Sequence, residues 1–65
     1  MVLKKKMLIL GMIYFIQIDS GYRVDWTMPN GYSFKRFFKN HDEAEYFYER
    51  KFLEIMQFGI WKHGD

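Results

Sequence analysis

The side chains that most often do chemistry in proteins are few and scattered in this chain of 65 residues. Cysteine is absent, and the histidines are His41 and His63. We identify no partner ligand for either histidine at helical spacing, so the pattern predicts no metal site and no cofactor. Ser20 and Ser33 lack the glycine-flanked setting of a nucleophilic serine, and no phosphate-binding glycine loop is present. The sequence therefore favours a protein that is not an enzyme.

An acidic cluster, Asp42, Glu43 and Glu45, is the densest group of carboxylates in the sequence. Asn40 precedes it, and Asn40 followed three residues later by Glu43 is a capping-box pattern. Acidic side chains in the first turn also interact favourably with the helix dipole. We therefore interpret the cluster as the start of a helix rather than as a site.

The elements that surround this helix start form one small α+β domain covering 1–65. We predict a three-stranded antiparallel sheet over 7–39 that packs on one C-terminal helix over 40–59, in the order βββα. Residues 1–6 are assigned to a basic N-terminal extension, and 60–65 to a tail. The helix is predicted to stop at Gly59. Gly11 marks either a bulge in the first strand or the true start of its pairing.

The second and third predicted strands alternate between apolar and polar residues, which is typical of strands with one buried face. In "YRVDWTMP", Tyr22, Val24 and Trp26 point to one side, and Arg23 and Asp25 to the other. In "YSFKRFFK", the side of Phe34 and Phe38 also includes Arg36 as a misfit. The Pro-Asn-Gly segment between these strands indicates a hairpin of either a tight or a longer turn.

Charge is unevenly distributed, although the net charge is only +2. Residues 1–39 carry seven basic side chains against two acidic ones, and residues 40–65 carry three against six. This asymmetry indicates a polyanionic partner, or alternatively ordinary solvation. The apolar run 7–16 is shorter than the roughly 20 residues of a transmembrane helix. We therefore expect a cytoplasmic protein without a membrane span, while membrane contact by this run stays open.

From about Tyr22 to Phe52 the chain resembles the amino-terminal, arm-type DNA-binding domains of phage-type tyrosine recombinases. It is also similar to the DNA-binding domain of plant ethylene-response factors, which has the same fold. The resemblance rests on "YRVDW", "MPNG", "FKRFF" and a helix that begins "KNHDEAEYFY". In those families the sheet lies in the major groove of duplex DNA, and the helix supports its back.

The resemblance implies a small DNA-binding protein of phage or mobile-element type that binds duplex DNA through the polar face of its sheet. Guanine-reading roles fall to Arg23 and Lys35, and contact with a thymine methyl group to Thr27. The cluster Lys4 to Lys6 would contact phosphates. The complete predicted DNA-binding set is Arg23, Asp25, Thr27, Ser33, Lys35, Arg36 and Lys39.

A second hypothesis assigns the chain to another class, a small phage-type module that binds and modulates a host protein. Its basis is surplus apolar surface on the side of the helix turned away from the sheet, together with an exposed phenylalanine. Self-association into a homodimer would cover the same surface. The predicted partner-binding set is Phe37, Tyr46, Leu53, Met56 and Ile60.

Overall fold

The computed structural model of the protein describes the backbone of residues 1–8, 11–28 and 30–64, and the side chains of these residues except 8 and 58–64. An antiparallel sheet packs against one helix at the C-terminal end, which confirms the predicted α+β class. The strands are β1 (Val2–Leu8), β2 (Gly11–Ile18), β3 (Gly21–Thr27) and β4 (Ser33–Phe38). They are adjacent in chain order, so the sheet is a simple meander.

The prediction of three strands is wrong, because the described sheet has four. The extra strand, β1, contains the residues assigned to a basic extension and the beginning of the apolar run. It pairs with β2 in a register that includes Lys6 opposite Ile13 and Met7 opposite Met12. Gly11 begins β2 and lies opposite Leu8, and the register shift between these strands falls between Val2 and Lys4, so Gly11 marks the start of pairing rather than a bulge. A Cβ atom at Gly11 would clash with the backbone oxygen of Thr27, so this close approach requires glycine.

The hairpin between β3 and β4 has the longer of the two predicted turns. The Gly31 N–H donates to the Met28 carbonyl at 2.9 Å, and the Met28 N–H donates to the Tyr32 carbonyl at 2.8 Å. Gly31 has a φ of 95°, and the Asn30 side chain accepts the N–H of Tyr32. This is the geometry of a three-residue hairpin loop that places glycine in the left-handed region.

The helix α1 (His41–Gly64) begins where the sequence predicts. The Asn40 Oδ1 accepts the Glu43 N–H at 3.0 Å, which confirms Asn40 as the N-cap. Its end is not at Gly59, as predicted, because the helical backbone continues to Gly64. Glycine lowers helix propensity by about 1 kcal/mol relative to alanine, which is too little to end a helix by itself. No helix among the described residues combines the length and apolar character needed to cross a membrane.

The core lies between one face of the sheet and α1. Its fully buried members come from the two central strands and from the helix: Ile13, Phe15, Val24, Ala44, Tyr48 and Ile55. Aromatic side chains extend it toward β4, where the Trp26 ring stacks on Phe34 at 5.6 Å and contacts Phe47 at 5.3 Å. Burying a large apolar side chain contributes about 1.5–3 kcal/mol. Among the described residues, no helix covers the opposite face of the sheet.

Candidate functional site

The face of the sheet turned away from α1 is called here the open face. Alternation along the strands and pairing between them define it. In one row across all four strands, Lys5 lies opposite Tyr14, Tyr14 opposite Asp25, and Asp25 opposite Lys35. The neighbouring rows contain the remaining residues of the face: Val2, Met7, Met12, Ile16, Ile18, Arg23, Thr27, Ser33 and Phe37.

Five residues of the predicted DNA-binding set come together on the β3–β4 half of the open face. The Arg23 Nε donates to the Asp25 Oδ1 at 2.8 Å, and both side chains are about 30% exposed. The hydroxyls of Thr27 and Ser33 are 3.3 Å apart. Lys35 lies opposite Asp25 in the register and is exposed. The arrangement combines two cations, one carboxylate and two hydroxyls on adjacent strands.

A shallow hollow of about 400 Å³ lies at this cluster. Its lining includes Tyr14, Asp25, Thr27, Ser33 and Lys35, and is completed by Trp26 and Phe34. Hydrogen-bond donors, acceptors and an aromatic ring therefore border the same depression. Sequence reasoning missed Tyr14, which belongs to β2 and enters the site only through pairing of its strand with β3.

The open face is less polar than the alternation along β3 and β4 predicts. Strand β2 contributes four apolar or aromatic residues to it, and edge residues such as Met7 and Phe37 are 73% and 61% exposed. The near-continuous apolar character of β2 explains this, because such a strand presents apolar residues on both sides. The face is therefore a basic and apolar surface rather than a purely polar one.

Three of the predicted DNA contacts lie on the helix side of the sheet. Lys4 forms an ion pair with Glu45 at 2.7 Å, and the Lys6 ammonium is 4.4 Å from the ring centroid of Phe52. Arg36 follows Lys35 in β4 and therefore projects to the opposite side of the sheet. Its guanidinium lies 5.4 Å from the ring centroid of Phe38. These side chains support packing of the helix, so the assignment of Lys4, Lys6 and Arg36 to the DNA-binding surface is corrected.

The remaining predicted cation, Lys39, lies exposed in the connection between β4 and α1. Lys5 is the member of the predicted Lys4 to Lys6 cluster that lies on the open face. Counting the strands alone, the open face carries Lys5, Arg23 and Lys35 against Asp25, a net charge of +2.

Three side chains with a shifted pKa, Lys4, Glu45 and Tyr48, lie on the helix side of the sheet. The hydrogen bond from Lys4 lowers the pKa of Glu45, and the same bond raises the pKa of Lys4. Both side chains are partly exposed to solvent, so this pair is a surface ion pair that links β1 to α1. Burial raises the pKa of the Tyr48 phenol, whose hydroxyl has no hydrogen-bond partner among the described residues. None of these three groups faces the open side of the sheet.

His41, Asp42 and Glu45 have potential ligand atoms within 4.8 Å of one another. Glu45 lies four residues after His41, a helical spacing that the sequence interpretation missed. Glu45 already forms an ion pair with Lys4. The ring centroid of His41 lies 5.3 Å from that of Phe15 and 5.2 Å from that of Tyr22. Packing at the end of the core accounts for the position of His41.

The predicted partner-binding residues do not form one surface. Phe37 lies on the open face, whereas the other described members occupy the outer side of α1. Tyr46 is 66% exposed, Leu53 47% and Met56 38%. Ile60 belongs to the part of the helix whose side chains lie outside the described residues.

Comparison with known proteins adds no family to these observations. No protein-family model, curated protein or solved structure matches the chain. The function is therefore argued from the geometry and chemistry of the open face.

Proposed function

We propose that the protein binds duplex DNA through its open face and is a non-enzymatic protein of phage or mobile-element type. The β3–β4 hairpin would enter the major groove, which admits a two-stranded antiparallel ribbon. The resemblance of residues 22–52 to recombinase arm-binding domains supports this class of partner.

The observation that carries the proposal is the side-by-side position of Arg23, Asp25, Thr27, Ser33 and Lys35 on an uncovered sheet. Arginine and lysine suit the acceptors of guanine, and carboxylates accept from the amino group of cytosine. Hydroxyls contact either bases or phosphates. The Arg23–Asp25 ion pair holds one guanidinium in a fixed position along β3.

Charge separation between the two layers also supports an anionic partner on the sheet side. The open face has a net charge of +2, whereas the helix segment 40–57 carries five acids against Arg50 and Lys51. Coulomb attraction would therefore turn the open face toward DNA and the helix away from it. Basic contacts to phosphate give an affinity that falls as salt rises.

Charge reversal at matched positions tests the proposal. Lys35→Glu changes the centre of the open face, and Arg50→Glu makes the same change of charge on the outer side of α1. Lys35 is preferred to Arg23 because reversing Arg23 would also break its ion pair with Asp25. Binding to a fluorescent random-sequence duplex is measured by anisotropy over a series of salt concentrations.

We expect Lys35→Glu to weaken binding strongly and to reduce the slope of log K against log salt by about one or more. Arg50→Glu should leave the slope unchanged, and circular dichroism should show the same helix content in both variants. Equal effects of the two substitutions, or a wild-type affinity that does not depend on salt, would contradict the proposal.

A second candidate function is capture of a host protein through the outer side of α1. The supporting observation is the exposure of Tyr46, Leu53 and Met56 on a helix that already buries its opposite side. Methionine and tyrosine are favoured in adaptable protein contacts. A Leu53→Gln, Met56→Gln variant should lose this partner while it retains DNA binding. Unchanged capture of the partner by that variant would exclude the outer stripe.

A further inference from the structure

The edge strand β4 carries a feature that DNA binding does not use, namely one side of its backbone. Strand β3 pairs with β4 on one side, and β4 is the last strand of the described sheet. Every residue from Ser33 to Phe37 is exposed. An edge strand of this kind is a template on which an extended peptide can add another strand.

The register identifies which backbone groups are free. The Met28–Tyr32 hydrogen bond closes the end of the β3–β4 ladder. Bonded and non-bonded pairs alternate in an antiparallel ladder, so the pairs Trp26–Phe34 and Val24–Arg36 are the bonded ones. The N–H and C=O groups of Ser33, Lys35 and Phe37 consequently point to the free edge.

Charge on this strand selects the occupant. Lys35 projects on the open face and Arg36 on the helix side, and no acidic residue lies between Ser33 and Lys39. Phe34 and Phe37 flank this basic pair and are 48% and 61% exposed. A second copy of β4 would bring like charges together near the middle of the strand, which disfavours self-pairing.

We infer that β4 is a docking edge for an extended peptide of the pattern apolar–acidic–acidic–apolar, which would become a fifth strand of the sheet. The two acids would lie opposite Lys35 and Arg36, one on each face. The apolar residues would lie against Phe34 and Phe37. Backbone hydrogen bonds would supply affinity, and the charged and apolar pairs would supply selectivity.

The inference is tested with a capped fluorescent peptide, Thr-Val-Glu-Asp-Val-Thr, and anisotropy. A peptide with the two acids replaced by lysines is the charge control. A third peptide keeps the acids but is N-methylated at alternate residues, which removes the edge hydrogen bonds. We expect the acidic peptide to bind about tenfold or more tightly than either control. Equal binding of the methylated peptide would overturn the inference, because attraction without strand pairing would then be sufficient.

Arg36→Glu is the variant of choice, because Arg36 lies on the helix side and is separate from the DNA-binding cluster. Arg36→Glu should weaken binding of the acidic peptide about tenfold, whereas Arg50→Glu should have little effect on it. Equal weakening by both would overturn the inference. The wild type should also sediment as a monomer, without a dimer that the acidic peptide dissociates. Such a dimer would mean that a second copy occupies the edge. Salt-dependent duplex binding is measured on the same samples, so that loss of peptide binding can be distinguished from loss of DNA binding.

Discussion

Removal of one hydroxyl from the core should stabilise this protein. Tyr48 lies on the inner side of α1 with no exposed surface, and its ring centroid is 5.9 Å from that of Phe15. Its hydroxyl is buried and has no hydrogen-bond partner among the described residues. Tyr48→Phe keeps the ring and its packing and deletes only this oxygen.

The expected gain follows from the cost of burying an unpaired polar group. A buried hydroxyl without a partner lowers the free energy of unfolding by about 1–3 kcal/mol. Removing it also removes the packing contacts of the oxygen, which offsets part of the gain. We therefore expect the free energy of unfolding to rise by about 1 kcal/mol. For a domain of this size such a gain corresponds to an increase in Tm of about 4–8 °C.

Urea unfolding followed by circular dichroism measures the change, and Tyr46→Phe is the matched control. The Tyr46 side chain is 66% exposed, so its substitution should change stability by less than about 0.5 kcal/mol. A Tyr48→Phe variant less stable than the wild type would refute the reasoning, because the hydroxyl would then have a favourable partner.

The pH dependence provides an independent check of the same burial. Burial raises the pKa of Tyr48 in the folded state, so the folded protein holds this proton more tightly than the unfolded chain. The free energy of unfolding is therefore highest below the unfolded pKa of about 10, and it falls as pH rises through the folded pKa. Tyr48→Phe should therefore show a smaller loss of stability above pH 10 than the wild type.

Three further predictions follow from other contacts. Gly11→Ala should lower the free energy of unfolding by about 1–3 kcal/mol in urea titrations, because its Cβ would meet the Thr27 carbonyl; an unchanged midpoint would contradict the close approach. Lys4→Ala should raise the pKa of the Glu45 carboxyl toward its ordinary value in an NMR titration, because Lys4 holds this pKa low. In the wild type, the Lys4–Glu45 pair contributes to stability above the unfolded pKa of Glu45. This contribution is lost as pH falls through the folded pKa. Asp25→Asn should tighten binding to the random-sequence duplex in the anisotropy assay, because it removes a carboxylate that repels phosphates from the open face; unchanged or weaker binding would contradict this.

The parts of the fold that sequence predicts well are those specified by neighbouring residues. Alternation in "YRVDW" identifies the two faces of β3, and Asn40 with Glu43 identifies the start of α1. Both depend on local geometry, either the period of a strand or the first turn of a helix. The β3–β4 half of the candidate site could therefore be assembled from the sequence alone.

The first hairpin was harder to predict because its signals are long-range. The lysines of β1 resemble a solvated extension until the contacts of Lys4 with Glu45 and of Lys6 with Phe52 are known. Gly11 was the available signal for a break in the apolar run. Arg36 shows the opposite situation, because alternation already placed it with the aromatic residues, where its guanidinium contacts two rings.

The side of the molecule that meets DNA is measured directly by an NMR titration of the isotopically labelled protein with duplex DNA. The largest shifts should fall on backbone amides of the uncovered strands, including Arg23, Thr27, Ser33 and Lys35. The chemical shifts of Tyr46 and of other backbone amides on the outer side of α1 should remain unchanged. Shifts concentrated on the outer helix, with β3 and β4 unaffected, would contradict the central claim.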